Sequence, residues 1–550
     1  MSDNIKEEKK NSFLKGAAIL GIAGILVKIM GVFFRIPITN WVGADGMSYY
    51  NSVYPIYTFF LILSTAGIPV AISRMVSQRI AIKNYEGAQK VFSVSVWLMA
   101  VIGAVSFLIV YFGAGFIESV VLANPGTKFA LEAIAPSLLI VPVMSAYRGY
   151  FQGRQNMNPT AVSQFVEQFF RVVVGLVLAH MLISAGNQYV SAGAIFGCTF
   201  GAGAGLLVVV VIYLLSRKSI FAKIEKNKEF ALEENTSKII KSILLIAIPI
   251  TIGACILPLV NAIDSMVVMR RLQATGWTLS ESRVLWGRLG GYCSSLIGMP
   301  QVFIQAIVMS LVPAIAASYQ LNNKPEVRDN MRFAMRAAML IGFPCMVGMF
   351  SMAKPILLLL YPSQVQEATD AAPTLMIWSI SIVFLSIMQT LTGALQGIDK
   401  QMIPVKNLAI GAACKVVLTF ILVGIPAINV NGAPIGTIVC YLVAAVLNIK
   451  DVYSFADVKF DPMLTYIKPF VCSVLMGIAA RGCYGILFEI TSSNALSTLV
   501  GIIIAVIVYG LLVLFTGTIT TDEIAKLPKG DKIARMIGKV VRKKEKTHRR

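Results

Sequence analysis

Hydrophobic residues along this chain gather into long runs instead of alternating with polar ones. Fourteen such runs cover residues 13–37, 53–76, 90–113, 128–150, 160–184, 190–215, 239–269, 286–316, 333–360, 372–396, 404–424, 433–449, 465–488 and 495–517. A run of about 20 apolar residues, rising about 1.5 Å per residue as helix, spans the roughly 30 Å of a bilayer's hydrocarbon. The pattern therefore predicts an all-α polytopic membrane protein with fourteen transmembrane helices. The first run follows the charged stretch MSDNIKEEKK, but it is too long for a signal-peptide core and lacks a small-residue cleavage site. It is read as a retained helix.

One corner is written twice. GYFQGRQNMNP at 149–159 has a relative, GALQGIDKQMIP at 393–404, so that Gly149, Gln152 and Gly153 recur as Gly393, Gln396 and Gly397, each displaced by 244 residues. At the same offset Ile68-Pro69 matches Val312-Pro313, and Arg171-Val172-Val173 matches Lys415-Val416-Val417. Six runs separate the copies, an even number, so both copies face one side and the repeat is parallel, about an axis along the membrane normal. Two six-helix lobes follow, residues 1–236 and 237–456, then two further helices in 457–517 and a basic tail, 518–550. The corner's glycines and the prolines after it, Pro159 and Pro404, suit close helix approach and a tight exit.

Composition agrees with this class: 57% of residues are hydrophobic, 14% charged, and mean hydropathy is +0.75. The net charge of +21 is informative through its placement. Lys and Arg concentrate in alternate connections (Arg79 and Lys83, Arg148 and Arg154, Arg217 to Lys228, Lys324 and Arg328, Lys400 and Lys406, Lys450 and Lys459, and the tail), while the intervening connections nearly lack them. This is the positive-inside pattern with both termini cytoplasmic. It explains the charge by topology and attraction to anionic lipids, without nucleic acid. One outer connection departs from it: Arg270, Arg271 and Arg283, with Arg288 just beyond, face a single Glu281. They are either snorkelling at the interface or forming an anion-attracting mouth. In the tail, Ile533, Met536, Ile537, Val540 and Val541 share one helical face flanked by cations, which predicts an interfacial amphipathic helix.

No catalytic signature is present. The eight cysteines stand singly in apolar runs, the two histidines are isolated, and GxxxxGK[ST], HExxH and GxSxG are absent. The chain is read as no enzyme and as holding neither metal nor cofactor. Ionisable groups inside the runs carry the function, because such groups are costly in lipid and face a cavity or a partner. Glu167 and Arg171, four apart, have the spacing of an ion pair on one helix face. Lys28 and Lys415 have no such local counter-charge; with Arg35, Arg171, Arg270 and Arg271 they predict binding of an anionic substrate. Asp264, with Asn261 one turn away and Glu167 as a further acid, is the candidate for coupling to Na+, H+ or the membrane potential. Its alternative is a salt bridge to Arg270 or Arg271.

The layout, the stretches YPIYTFFLILSTAGIPVAISRMVSQ and PLVNAIDSMVVMRRL, and the corner GALQG resemble the multidrug/oligosaccharidyl-lipid/polysaccharide exporter superfamily, over essentially the whole chain. Within it the resemblance is to the MurJ-like lipid II flippase branch, alongside the stage V sporulation protein B type. It implies a monomeric carrier in the bacterial cytoplasmic membrane that passes a diphosphate-linked sugar on a polyprenyl chain from the inner to the outer leaflet by alternating access. The last two helices would form a groove for the lipid tail. The family's first-helix pattern of Arg, two residues, Gly and a second Arg followed by an acid stands here as Lys28, Gly31 and Arg35, with Lys for the first Arg and the acid absent. Lipid II is the implied cargo; another undecaprenyl-diphosphate-linked polysaccharide unit is the alternative, and a cation-coupled multidrug exporter a further one.

Overall fold

The computed structural model describes residues 2–230 and 234–518, and of residues 2–23, 25 and 28 it describes only the backbone. The expected tail helix over 531–550 lies outside the described residues, as does the side chain of Lys28. The described chain is helical without strands. Its longer helices are α1 (Ser2–Thr65), α2 (Ile68–Ala81), α3 (Tyr85–Phe112), α4 (Lys128–Gly153), α5 (Asn158–Met181), α6 (Asn187–Lys226), α7 (Thr236–Ala274), α8 (Leu279–Gly287), α9 (Ser294–Gln320) and α10 (Lys324–Ser351). They continue with α11 (Ala353–Leu360), α12 (Val365–Ser379), α13 (Ser381–Gly397), α14 (Met402–Val423), α15 (Gly432–Ala456), α16 (Lys468–Thr491) and α17 (Asn494–Phe515). Short π-helical turns at Ile117–Leu122, Arg288–Cys293 and Met463–Ile467 join some of them.

Among the described residues, thirteen segments are long and apolar enough to cross a bilayer, where the hydrophobic pattern predicts fourteen. The difference lies at the start, where two of the apolar runs fall in one segment, Ile29–Ala81. That segment is not straight. Gly43 has φ 62° and ψ −162°, a conformation a side chain would oppose. Sixteen residues of straight helix would span about 24 Å. Yet Arg35 hydrogen-bonds Asn51, and the Phe34 and Tyr50 rings lie 6.4 Å apart. The chain doubles back at Gly43, and α1 is two helices packed side by side.

The repeated corner is repeated in geometry as well. Both α4 and α13 end on the second glycine, Gly153 and Gly397. Two residues later each copy has a non-glycine in the left-handed region, Gln155 at φ 58° and Asp399 at φ 60°. A methyl on Gly149 would come within 2.8 Å of the Pro69 carbonyl, and one on Gly397 within 2.7 Å of Ile315 Cγ2. Each corner thus rests on the helix carrying its matched proline, Pro69 in α2 and Pro313 in α9. The turns leaving those two helices also agree: left-handed Lys83 precedes the cap Asn84, and left-handed Asn322 precedes the cap Asn323.

Contacts divide the chain into two compact units. The first holds the described residues up to Leu296, with Tyr361–Ala371 and Ala412–Gly436; the second holds Ile297–Leu360, Ala372–Gly411 and the described residues from Thr437 on. In the first unit, Phe34, Ile38, Tyr50, Leu131, Ile134 and Ile195 belong to one buried cluster. The most extensive helix pair is α5 with α6. Gly193, Gly197, Gly201 and Gly205 fall on one face of α6 at four-residue spacing, and the last three lie against the backbone of α5 at Arg171, Glu167 and Ser163. Small residues at this spacing let helix backbones meet closely in a membrane. In the second unit, Met331, Met335, Met339, Leu391 and Leu395 fill the core. There the buried Asn407 amide donates to Asn448 Oδ1 (2.9 Å) and Asp451 Oδ2 (2.6 Å).

Candidate functional site

The doubled-back α1 presents Tyr50, Tyr54 and Tyr57 at helical spacing, and the Tyr50 and Tyr54 rings stack with centroids 5.4 Å apart and 17° between planes. Two guanidiniums flank the stack. Arg35 lies over Tyr50 (5.5 Å) and donates to Ser294 Oγ (3.1 Å) as well as to Asn51. Arg171, from α5, lies over Tyr54 (5.2 Å) and donates to its hydroxyl at 2.9 Å. A cation over an aromatic face is attracted to the ring without being neutralised by it. Neither arginine has a carboxylate partner among the described residues, and the Nε of each is buried there without an acceptor. The arrangement is a pair of held cations with donor capacity to spare, suited to an anion.

Glu167 does not pair with Arg171, contrary to their four-residue spacing. Its Oε2 accepts instead from Arg148 of α4 at 2.8 Å, and Arg148 Nε donates to Ser163 Oγ at 2.8 Å. The tyrosines on α1 capture Arg171, and Arg148 arriving from α4 meets Glu167. Glu167 is thereby a fastening between α4 and α5, and Arg171 keeps its charge.

Lys415, expected without a counter-charge, has one. Its Nζ lies 2.6 Å from Asp264 Oδ2, joining α14 to α7 within the first unit. The partner expected for Asp264 in the alternative reading, Arg270 or Arg271, is not the one used, because both lie in the last turns of α7. Asp264 Oδ1 remains buried without a hydrogen-bond donor among the described residues, as does Thr419 Oγ1, one turn beyond Lys415. Asn261 is exposed on α7 and has no hydrogen-bond partner among the described residues.

The arginines of the basic outer connection separate into distinct roles. Arg288 is bound by two carboxylates three residues apart on α12, Glu367 (2.5 Å) and Asp370 (2.7 Å), and so is no part of an anion-attracting mouth. Arg283 donates to Asn124 Oδ1 (2.8 Å) and the Pro125 carbonyl (2.5 Å), with Tyr49 beneath it at 4.8 Å. Arg271 lies 4.6 Å over the Phe420 ring, and its Nε donates to the Phe420 carbonyl at 3.2 Å. Arg270 is exposed and has no partner among the described residues.

Arg35, Arg171, Asp264 and Lys415 were recognisable in the sequence as ions within helices, whereas the partners of Glu167 and Arg288 were not: Arg148, Glu367 and Asp370 sit near run ends, where charges are ordinary. The tyrosines did carry a signal: positions 50, 54 and 57 share one helical face.

Comparison with known proteins extends this picture over the whole chain. The profile of the "Polysaccharide biosynthesis protein" family matches residues 13–318, and that of "Lipid II flippase MurJ" matches residues 291–504. The chain is 27% identical over 527 residues to the Lipid II flippase MurJ of Bacillus subtilis (strain 168), covering 92% of this chain and 95% of that protein. It is 25% identical over 519 residues to Stage V sporulation protein B of the same organism, covering 94% and 98%. Among solved structures, "Lipid II flippase MurJ, inward closed conformation" aligns with a TM-score of 0.64 at 14% identity, over 90% of this chain and 98% of that one.

Proposed function

The chain belongs to the polysaccharide biosynthesis protein family, as a MurJ-like member of the multidrug/oligosaccharidyl-lipid/polysaccharide exporter superfamily, and on that premise we propose that it flips lipid II across the cytoplasmic membrane for peptidoglycan synthesis. It is a multi-pass membrane transporter and not an enzyme. The observation that carries the cargo class is the pair Arg35 and Arg171, held against the stacked Tyr50 and Tyr54 with no carboxylate to neutralise them. A diphosphate leaving water requires charge-assisted donors, and two pre-positioned guanidiniums supply them. A drug-exporting carrier of organic cations would be repelled by the same groups.

In this reading the two homologous lobes, 1–236 and 237–456, rock about the bound diphosphate while its polyprenyl chain stays in the lipid beside residues 457–517. Lys28 adds a third cation in the same helix as Arg35. Asp264 couples the cycle to a cation or proton: Lys415 holds Oδ2, and an arriving cation on the undonated Oδ1 weakens that hold and shifts the balance between states.

The test is a conditional depletion strain in which lipid-linked precursors of the inner leaflet are identified chemically. Lipid II is expected to accumulate, and a wild-type copy, but not Arg35→Ala with Arg171→Ala at equal protein level, is expected to clear it. Accumulation of a different polyprenyl-diphosphate glycan would reassign the cargo, and accumulation of none would end the flippase proposal.

A further inference from the structure

Arg270 and Arg271 line a groove of about 440 Å³ at the end of α7, apart from the tyrosine-held pair. Its walls are apolar: Met266 and Val267 one turn back along α7, Val120 and Val121 of the π-helical turn, and the Phe420 ring of α14. No carboxylate lines it. Of the four arginines in this region, Arg283 and Arg288 are consumed by protein partners. Arg271 is fixed from behind by the Phe420 carbonyl and ring, so its terminal N–H groups remain free among the described residues, and Arg270 beside it is wholly unpaired there. Such a pair of cations, one pre-positioned, matches a dianion better than the single charge of an ordinary anionic phospholipid. The apolar walls match a chain attached to that dianion. By the charge alternation along the sequence, this end of α7 faces the side otherwise nearly free of cations, so topology gives the arginines no reason to be there.

We infer that this groove is a release station, which takes the diphosphate of the polyprenyl-linked lipid after it reaches the outer face and lays the first isoprenoid units along the apolar walls. The inference rests on the flippase reading and adds to it a second binding place, on the far side of the cycle from the Arg35 and Arg171 pair.

The experiment uses the full-length protein in phosphatidylcholine vesicles, with a photo-crosslinking benzoylphenylalanine replacing Ala274 in the groove wall and labelled undecaprenyl diphosphate as the probe. Crosslinking is expected, and Arg270→Ala with Arg271→Ala is expected to lower it about tenfold, the loss of one charge-assisted contact pair. An equal mole fraction of phosphatidylglycerol is expected to leave the yield unchanged. Three results would overturn the assignment: unchanged yield in the double variant, displacement by phosphatidylglycerol, or equal labelling by undecaprenol, which lacks the diphosphate. Complementation by Arg171→Ala reads the central pair separately. Failure of the flippase reading would show as no lipid-linked precursor accumulating on depletion while the Arg270-dependent label persists, whereas failure of the groove alone would show as a missing label with transport intact.

Discussion

Lys415 Nζ and Asp264 Oδ2 meet at 2.6 Å in a site where the two residues are only 4% and 9% exposed. Removing one member leaves the other charge stranded, which costs about 3–5 kcal/mol, whereas an apolar pair of similar volume is close to neutral. Lys415→Ala and Asp264→Ala are therefore expected to lower the unfolding temperature of the purified protein sharply. Asp264→Leu combined with Lys415→Met is expected to restore most of it while remaining inactive in complementation. If the combined variant is as unstable as the single ones, the two charges do not act as a unit.

Glu167 has two arginines within reach of its helix turn and uses the one on the neighbouring helix. A double-mutant cycle on Arg148→Met and Glu167→Gln is expected to give a coupling of about 1–3 kcal/mol. The same cycle on Glu167→Gln and Arg171→Met is expected to give a value near zero. Reversed magnitudes would restore the pairing that the sequence spacing suggests.

At the tyrosine stack, three variants are expected to fall in order. Arg171→Ala removes the charge and should abolish complementation. Arg171→Lys keeps the charge but loses the planar fork and the ring contact, and is expected to weaken binding of a polyprenyl-diphosphate analogue about tenfold. Tyr54→Phe keeps the ring and loses one hydrogen bond, worth about 1 kcal/mol. Tighter binding by Arg171→Lys than by Tyr54→Phe would contradict the stacking role.

The two left-handed corner residues offer a test that leaves function aside. Glycine tolerates that conformation where other side chains oppose it, although Asp less so than Gln. Gln155→Gly is expected to stabilise the protein by about 0.5–1 kcal/mol and Asp399→Gly by less, read as shifts in thermal unfolding. Destabilisation by Gln155→Gly would mean that its side chain supports the turn.

The fold was legible because bilayer thickness translates directly into run length, and the internal repeat into symmetric corners. Where it was misjudged, the cause was the reach of local reasoning. Spacing along one helix can propose Glu167 with Arg171, but it cannot see Arg148 arriving from α4. It finds nothing to pair with Lys415, because Asp264 is far away in sequence and adjacent only after α7 and α14 pack. The glycine stripe at 193, 197, 201 and 205 was present in the letters, and it governs how closely α5 and α6 approach. Its meaning depends on which neighbour it faces, and that is a property of tertiary packing.

Gly287, at the end of α8, lies against the carbonyl of Ala44, just past the Gly43 bend, with no room there for a single added carbon. Three residues on, Gly290 meets the side chain of Asn51 in the same way. For a carrier that must part and rejoin surfaces in every cycle, such a contact is a point of leverage. A methyl at position 287 would act as a wedge, holding these surfaces apart in a chain that otherwise folds. Gly287→Ala would then favour arrangements in which these two surfaces stand apart over the close-packed one.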